Sequence, residues 1–130
     1  MPPRALIPEP SRAISAQMRM SPGVASGGHV FLTGMTGSGP DGSMPDDLDL
    51  QFHQAFQKIG AVLREADLDF SAIVEMTSYH VGLRDHFDRF SAVRAEYVSA
   101  PYPAWTAVEV AGLRRDGAVV EIRVIAALEG

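Results

Sequence analysis

The middle of the chain sets the strongest constraint on its fold, because the spacing of its apolar residues changes twice between Leu48 and Tyr97. Phe52, Phe56, Ile59, Leu63 and Ala66 recur every three or four positions, drawing one apolar stripe along a helix over Leu48 to Ala66. Phe87, Phe90, Val93 and Tyr97 draw a second, with Asp85 as its N-cap and the run SAPYP ending it, since proline restrains the residue before it. Between them SAIVEMTSYHVGL is rich in β-branched residues and too short for another helix with its loops, so it reads as a long strand. Two one-sided helices flanking a strand require a sheet on which both can lay their stripes.

The flanks supply the rest of that sheet. HVFLTG, from His29, is a short strand entered from a turn, and MRMSPGVA before it is a candidate hairpin partner. GMTGSGPDGSMPDD follows and reads as a surface loop. From Tyr102 to Leu128 two apolar runs surround RDG, the composition of a three-residue hairpin loop with Gly117 left-handed. That register sets Glu109 opposite Arg123 as a cross-strand ion pair and puts Val108 and Val110 on the face of Val120, Ile122 and Val124. The opposite face would then carry Trp105, Ala107, Val119, Ile125 and Ala127, too apolar to leave in water. Two helices cover one face only, so the economical cover for the other is a second copy of the chain, and a homo-oligomer is expected.

The 130 residues fit a single domain over 1–130, with 46% hydrophobic and 21% charged residues. Four of the nine prolines fall in the first dozen residues, which makes 1–15 a loosely tied arm. A net charge of −5 repels phosphate backbones, so nucleic acid is a disfavoured partner. With no cysteine there is neither a disulfide framework nor a thiolate site. No leader-like apolar stretch and no run of membrane-spanning length is present, and the expectation is a cytoplasmic chain without a membrane partner.

Most of the possible motifs have plain explanations. GMTGSG lacks the lysine of a phosphate loop and reads as a flexible loop. His29, His53, His80 and His86 have no metal-ligand spacing, and His53 and His86 fall in helical segments where a solvated face is expected; neither a metal nor a cofactor is predicted. Arg114 and Arg115 sit on a turn beside Asp116, a solvated tip rather than an RNA site. Glu121 differs, since a carboxylate in the middle of an apolar strand is either paired or used. Trp105, the sole tryptophan, is by itself a core or interface anchor.

LDLQFHQAFQKIGAVLREADL, FDRFSAVRAEYV, YPAWTAVEVAGL and VVEIRVIAA together resemble the YjgF/RidA (reactive intermediate deaminase) family, also called the L-PSP endoribonuclease family, over roughly Met20 to Ala127. The resemblance implies an α+β, chorismate-mutase-like mixed β-sheet with two helices on one face, a homotrimer, and small-molecule ligand clefts between subunits. Its best-known members hydrolyse imines and enamines to a keto acid and ammonia. In these, a P-A-R-S/T motif places an arginine on the substrate carboxylate; here the motif is PAWT, with Trp105 in the arginine's place. The family's tyrosine before the first strand aligns with Met20, and its second-helix asparagine with Arg94. Thr33 and Gly34 match its TG, Thr106 its following hydroxyl, and Glu121 the carboxylate that orients the hydrolytic water. The resemblance thus implies Glu121 as the catalytic residue and Trp105, Thr106, Thr33, Gly34, Arg94 and Met20 around the ligand. An indole at 105 weakens the grip on an α-imino acid and favours a flat, apolar or cationic ligand by stacking. A non-catalytic ligand-binding trimer is the alternative, and the ribonuclease of the family's older name is opposed by the charge.

Overall fold

A computed structural model describes residues 2–129. Strands β1 (Arg4–Leu6), β2 (Gly23–Ser26), β3 (His29–Leu32), β4 (Met35–Thr36), β5 (Ile73–His80), β6 (Ala104–Glu109) and β7 (Val120–Ala127) form one sheet. Helices α1 (Arg12–Met18), α2 (Leu48–Arg64) and α3 (Leu83–Arg94) accompany it. The strand order is β1-β2-β3-β7-β5-β6 with β4 also on β7. Every pairing is antiparallel except β5 with β6. This is the expected α+β mixed sheet.

The two predicted stripes build the core. Phe52, Phe56, Ile59 and Leu63 of α2 and Phe90 and Val93 of α3 pack on Val30, Leu32, Met76, Val120, Ile122, Val124 and Ala126. Asp47 begins α2 by accepting a hydrogen bond from the Asp49 amide at 3.1 Å, the usual service of an aspartate N-cap. Gly27 and Gly28, with φ of 61° and 86°, make the two-residue turn of the β2–β3 hairpin, a turn that needs positive φ at both positions.

Four expectations are corrected. First, β6 and β7 do not form a hairpin: β5 lies between them, parallel to β6 and antiparallel to β7. A parallel partner needs a long crossover, and α3 supplies it between β5 and β6. Gly117 is left-handed as expected, φ 79°, but its turn joins strands that are not neighbours. Arg123 therefore stands opposite Thr77, and Glu109 opposite His80, so the Glu109–Arg123 pair is absent. Glu109 instead accepts hydrogen bonds from the Gly82 and Leu83 amides at 3.0 and 2.6 Å. Second, this distant carboxylate explains why α3 starts earlier than expected, with Gly82 rather than Asp85 as N-cap. Third, Trp105 and Ala107 share the helix-covered face, opposite Met76 and Ser78; the open face carries Thr77, Tyr79, Thr106, Val108, Glu121, Arg123, Ile125 and Ala127, and is more polar than expected. Fourth, the stretch expected as a loose arm is built into the fold over its described residues. Arg4–Leu6 pairs with β2, Leu6 is buried, and α1 follows, because an edge strand needs few residues to gain ladder bonds and proline can stand just outside it.

Candidate functional site

The candidate residues fall into two groups. The first gathers where β3 and β4 meet β7. Thr33 donates from its amide to Pro22 O at 2.9 Å and from Oγ1 to Met20 Sδ at 3.4 Å. That weak thioether contact occupies the place where the resemblance implies a tyrosine hydroxyl. Glu121 lies between Thr36 on one side and Tyr79 on the other. Its carboxylate rests against Gly34 so closely that a β-carbon there would collide with it, which is the physical reason for glycine at 34. Glu121 is half-buried and has no hydrogen-bond or ion-pair partner among the described residues. Of its two readings, pairing or use, the paired one therefore loses its support.

Lys58 adds a cation to this region. From α2 its Nζ donates to Ser38 Oγ at 2.9 Å, while Gln54 holds Gly37 O at 2.6 Å. Burial, aided by Arg115, pushes the Lys58 ammonium down to about 8, against the opposing charge of Glu121. No sequence signal marked Lys58, which occupies a polar flank of an amphipathic helix.

The second group sits under α3. The Trp105 indole Nε1 donates to Ser78 Oγ at 2.9 Å. Its ring stacks on Phe87 with centroids 5.6 Å apart and planes within 5°, and the Arg94 guanidinium lies over it, Cζ 3.9 Å from the ring centre. Cation–π contact holds the arginine there. The Arg94 Nε is buried without an acceptor, no hydrogen bond to the guanidinium is found among the described residues, and burial lowers its pKa. Trp105 is thus no bare stacking platform: its cationic guest is Arg94, which revises the expectation of a flat or cationic ligand lying on the indole. Thr106 points the other way, exposed on the open face opposite Thr77.

Behind Trp105 lies a chain that the sequence reading missed. Ser78 Oγ is 2.8 Å from His80 Nε2, and His80 Nδ1 is 3.0 Å from His86 Nε2. His80 is fully buried and His86 nearly so, contrary to the solvated face expected for His86. The helical spacing carried the signal, because His86, Phe90 and Val93 fall on one stripe at three- and four-residue steps. Among the described residues no group of three or more His, Cys, Asp or Glu could hold a metal.

The two groups do not meet within one chain. Trp105 and Arg94 lie on the helix side of the sheet, whereas Glu121 and Thr106 belong to the open side. Two surface depressions, one by Gly82, Asp85 and Glu109 and one by Ser15, Arg19 and Met20, include neither Glu121 nor Trp105. No helix among the described residues is long and apolar enough to cross a membrane.

Comparisons with known proteins agree with this architecture. The family model Endoribonuclease L-PSP matches residues 10–128. The chain is 37% identical to the RutC family protein YjgH of Escherichia coli, over 94% of this chain and 92% of that one. It superimposes on the solved structure of protein YJGH with a TM-score of 0.86 at 34% identity, covering 95% of each chain. It is also 30% identical to the 2-iminobutanoate/2-iminopropanoate deaminase of Bos taurus, over 75% of this chain and 71% of that one. A family model matched over residues 10–128, a relative 37% identical over 94% of the chain and a solved structure superimposed with a TM-score of 0.86 together place this chain in the L-PSP endoribonuclease family, that of YjgF and RidA.

Proposed function

We propose that this protein acts on a small metabolite in a cleft completed by a second copy of the chain within a homotrimer, and that the reaction is hydrolysis of a C=N bond with release of ammonia. The observation that carries this reading is the unpartnered Glu121 carboxylate, seated against Gly34 on the open face of the sheet. A carboxylate so placed accepts a proton from water while the water oxygen adds to the imine carbon and the C=N electron pair moves to nitrogen. Nitrogen is protonated, the carbinolamine closes to a carbonyl, and ammonia leaves. One water is consumed per C=N bond. The likeness to the Bos taurus deaminase supports the reaction class.

The charge that receives the substrate is proposed to come from Arg94, held on Trp105, rather than from position 105 itself. A guanidinium lacking an acceptor suits a carboxylate or another planar anion. Since it reaches the cleft from α3 and not from β6, 2-aminoacrylate is expected to be turned over more slowly than by a relative with arginine in that motif.

Ammonia release from imines generated in place, compared between wild type and Glu121→Gln, tests the reaction. The expected loss is about 10²-fold or more, with the fold and oligomer checked in the same sample. Full activity in Glu121→Gln overturns the assignment. A wild type that hydrolyses none of them, yet binds metabolites with an affinity that depends on Arg94 and Trp105, makes the protein a binding trimer instead.

A further inference from the structure

The buried chain from Trp105 to His86 has a direction set by donor accounting. The indole Nε1 can only donate, so Ser78 Oγ accepts from it. The serine hydroxyl hydrogen then needs an acceptor, and His80 Nε2 at 2.8 Å is the one on hand. His80 accordingly carries its hydrogen on Nδ1 and donates to His86 Nε2 at 3.0 Å, leaving the His86 hydrogen on Nδ1. Every link is then satisfied in one arrangement only: indole to serine, serine to His80, His80 to His86. Reversed, the serine hydroxyl hydrogen has no acceptor among the described residues, and an unpaired buried donor is costly.

We infer that Ser78, His80 and His86 are positioning residues that fix the indole of Trp105, and with it the Arg94 guanidinium, and that protonation of His86 releases this placement. An added proton on His86 Nε2 faces the His80 Nδ1 hydrogen, two donors against each other. The chain must then invert, with His86 donating to His80 and His80 to Ser78. The serine oxygen then accepts from both the indole and His80 while its own hydrogen is left without an acceptor, so the indole shares its acceptor with a second donor and its bond weakens. The groups facing this pair are Glu109 from β6 and Asp85 and Arg89 from α3, while α2 places the Phe52 ring 5.3 Å from that of His86. Burial first, against the pull of Glu109, holds His86 below the usual histidine range, and burial with His86 beside it pushes His80 down to about 4. The switch therefore belongs to mildly acid conditions.

This inference goes beyond the proposed reaction, and its test needs no substrate. Because Trp105 is the sole tryptophan, its indole N–H gives a single proton resonance, which is followed from pH 8 towards pH 4.5 in the full-length protein. Wild type is expected to show an upfield shift on acidification with one midpoint below the usual histidine value. In Ser78→Ala the resonance should start upfield and cease to respond to pH. In His86→Phe it should stay at its high-pH position throughout, which separates this pair from His29 and His53. His86→Gln, which keeps a polar side chain without a titration, stands in if the phenylalanine variant does not fold. A wild-type resonance that does not move while the protein remains folded overturns the inference, as does a Ser78→Ala protein whose indole titrates like wild type.

Discussion

The Glu121 carboxylate and the polar chain behind Trp105 are held in opposite ways. Behind Trp105 the indole Nε1, Ser78 Oγ, both His80 nitrogens and His86 Nε2 have partners, and the aromatic rings of Phe87 and Phe90 pack on the indole. Around Glu121 a half-buried carboxylate has no partner among the described residues, and the space it needs is kept by the lack of a side chain at Gly34. Satisfied buried networks fix a geometry, whereas an unsatisfied acceptor is free to meet a ligand. One side is a rigid support that presents the Arg94 guanidinium; the other holds the carboxylate proposed as the reactive group.

The largest expected effect lies on the rigid side. Phe90 is fully buried and contacts Phe52, Phe56, His80 and Trp105, so Phe90→Ala should cost about 3–5 kcal/mol in denaturant unfolding. Phe87, 38% exposed, should lose only about 1 kcal/mol by the same change. If the two cost the same, the support is not organised as described.

On the reactive side, Gly34→Ala should cost about 1–3 kcal/mol, since the new methyl and the Glu121 carboxylate compete for one place. Glu121→Ala in that background should restore stability, because it vacates the site. The absence of rescue in thermal unfolding would show that Gly34 is required for something other than seating Glu121.

Acid should strike the rigid side first. Since His80 is pushed down to about 4 by burial and by His86, the unfolded chain binds protons below about pH 6.5 that the folded chain refuses. Stability therefore falls as pH drops from about 6.5 towards 4, and His80→Gln should flatten that slope. A smaller loss sets in at lower pH, where Glu109, held low by the Gly82 and Leu83 amides, takes up a proton and releases α3. The smallest effect concerns Arg123, exposed and without an ion pair to Glu109. Arg123→Ala should change stability by less than about 0.5 kcal/mol and show no coupling to Glu109→Gln in a double-mutant cycle.

The two helices and β5 were legible because period and length leave few alternatives for LDLQFHQAFQKIGAVLR and IVEMTSYH. The β6–β7 pairing was not. RDG with Gly117 carries a true local turn signal, but whether a turn joins neighbours depends on which strand intervenes, and β5 does so through a crossover that no local residue announces. Glu109 capping α3 escaped for the same reason, being 26 positions from Leu83. Within the site, Glu121 stood out as a charge in an apolar run. His86 did not, because reading Phe87 onto the stripe rotated the helix by one residue and put the histidine in water.

The central claim is that Glu121 of one chain and Arg94 of another act on the same ligand. Mixed oligomers test it most directly. Glu121→Gln and Arg94→Ala are each expected to lose activity on a substrate found by screening, and the two are then coexpressed and purified together through different tags. In the proposed trimer a mixed assembly contains an interface with both residues intact, so the account predicts that part of the wild-type activity returns. Mixed trimers as inactive as either parent would contradict it.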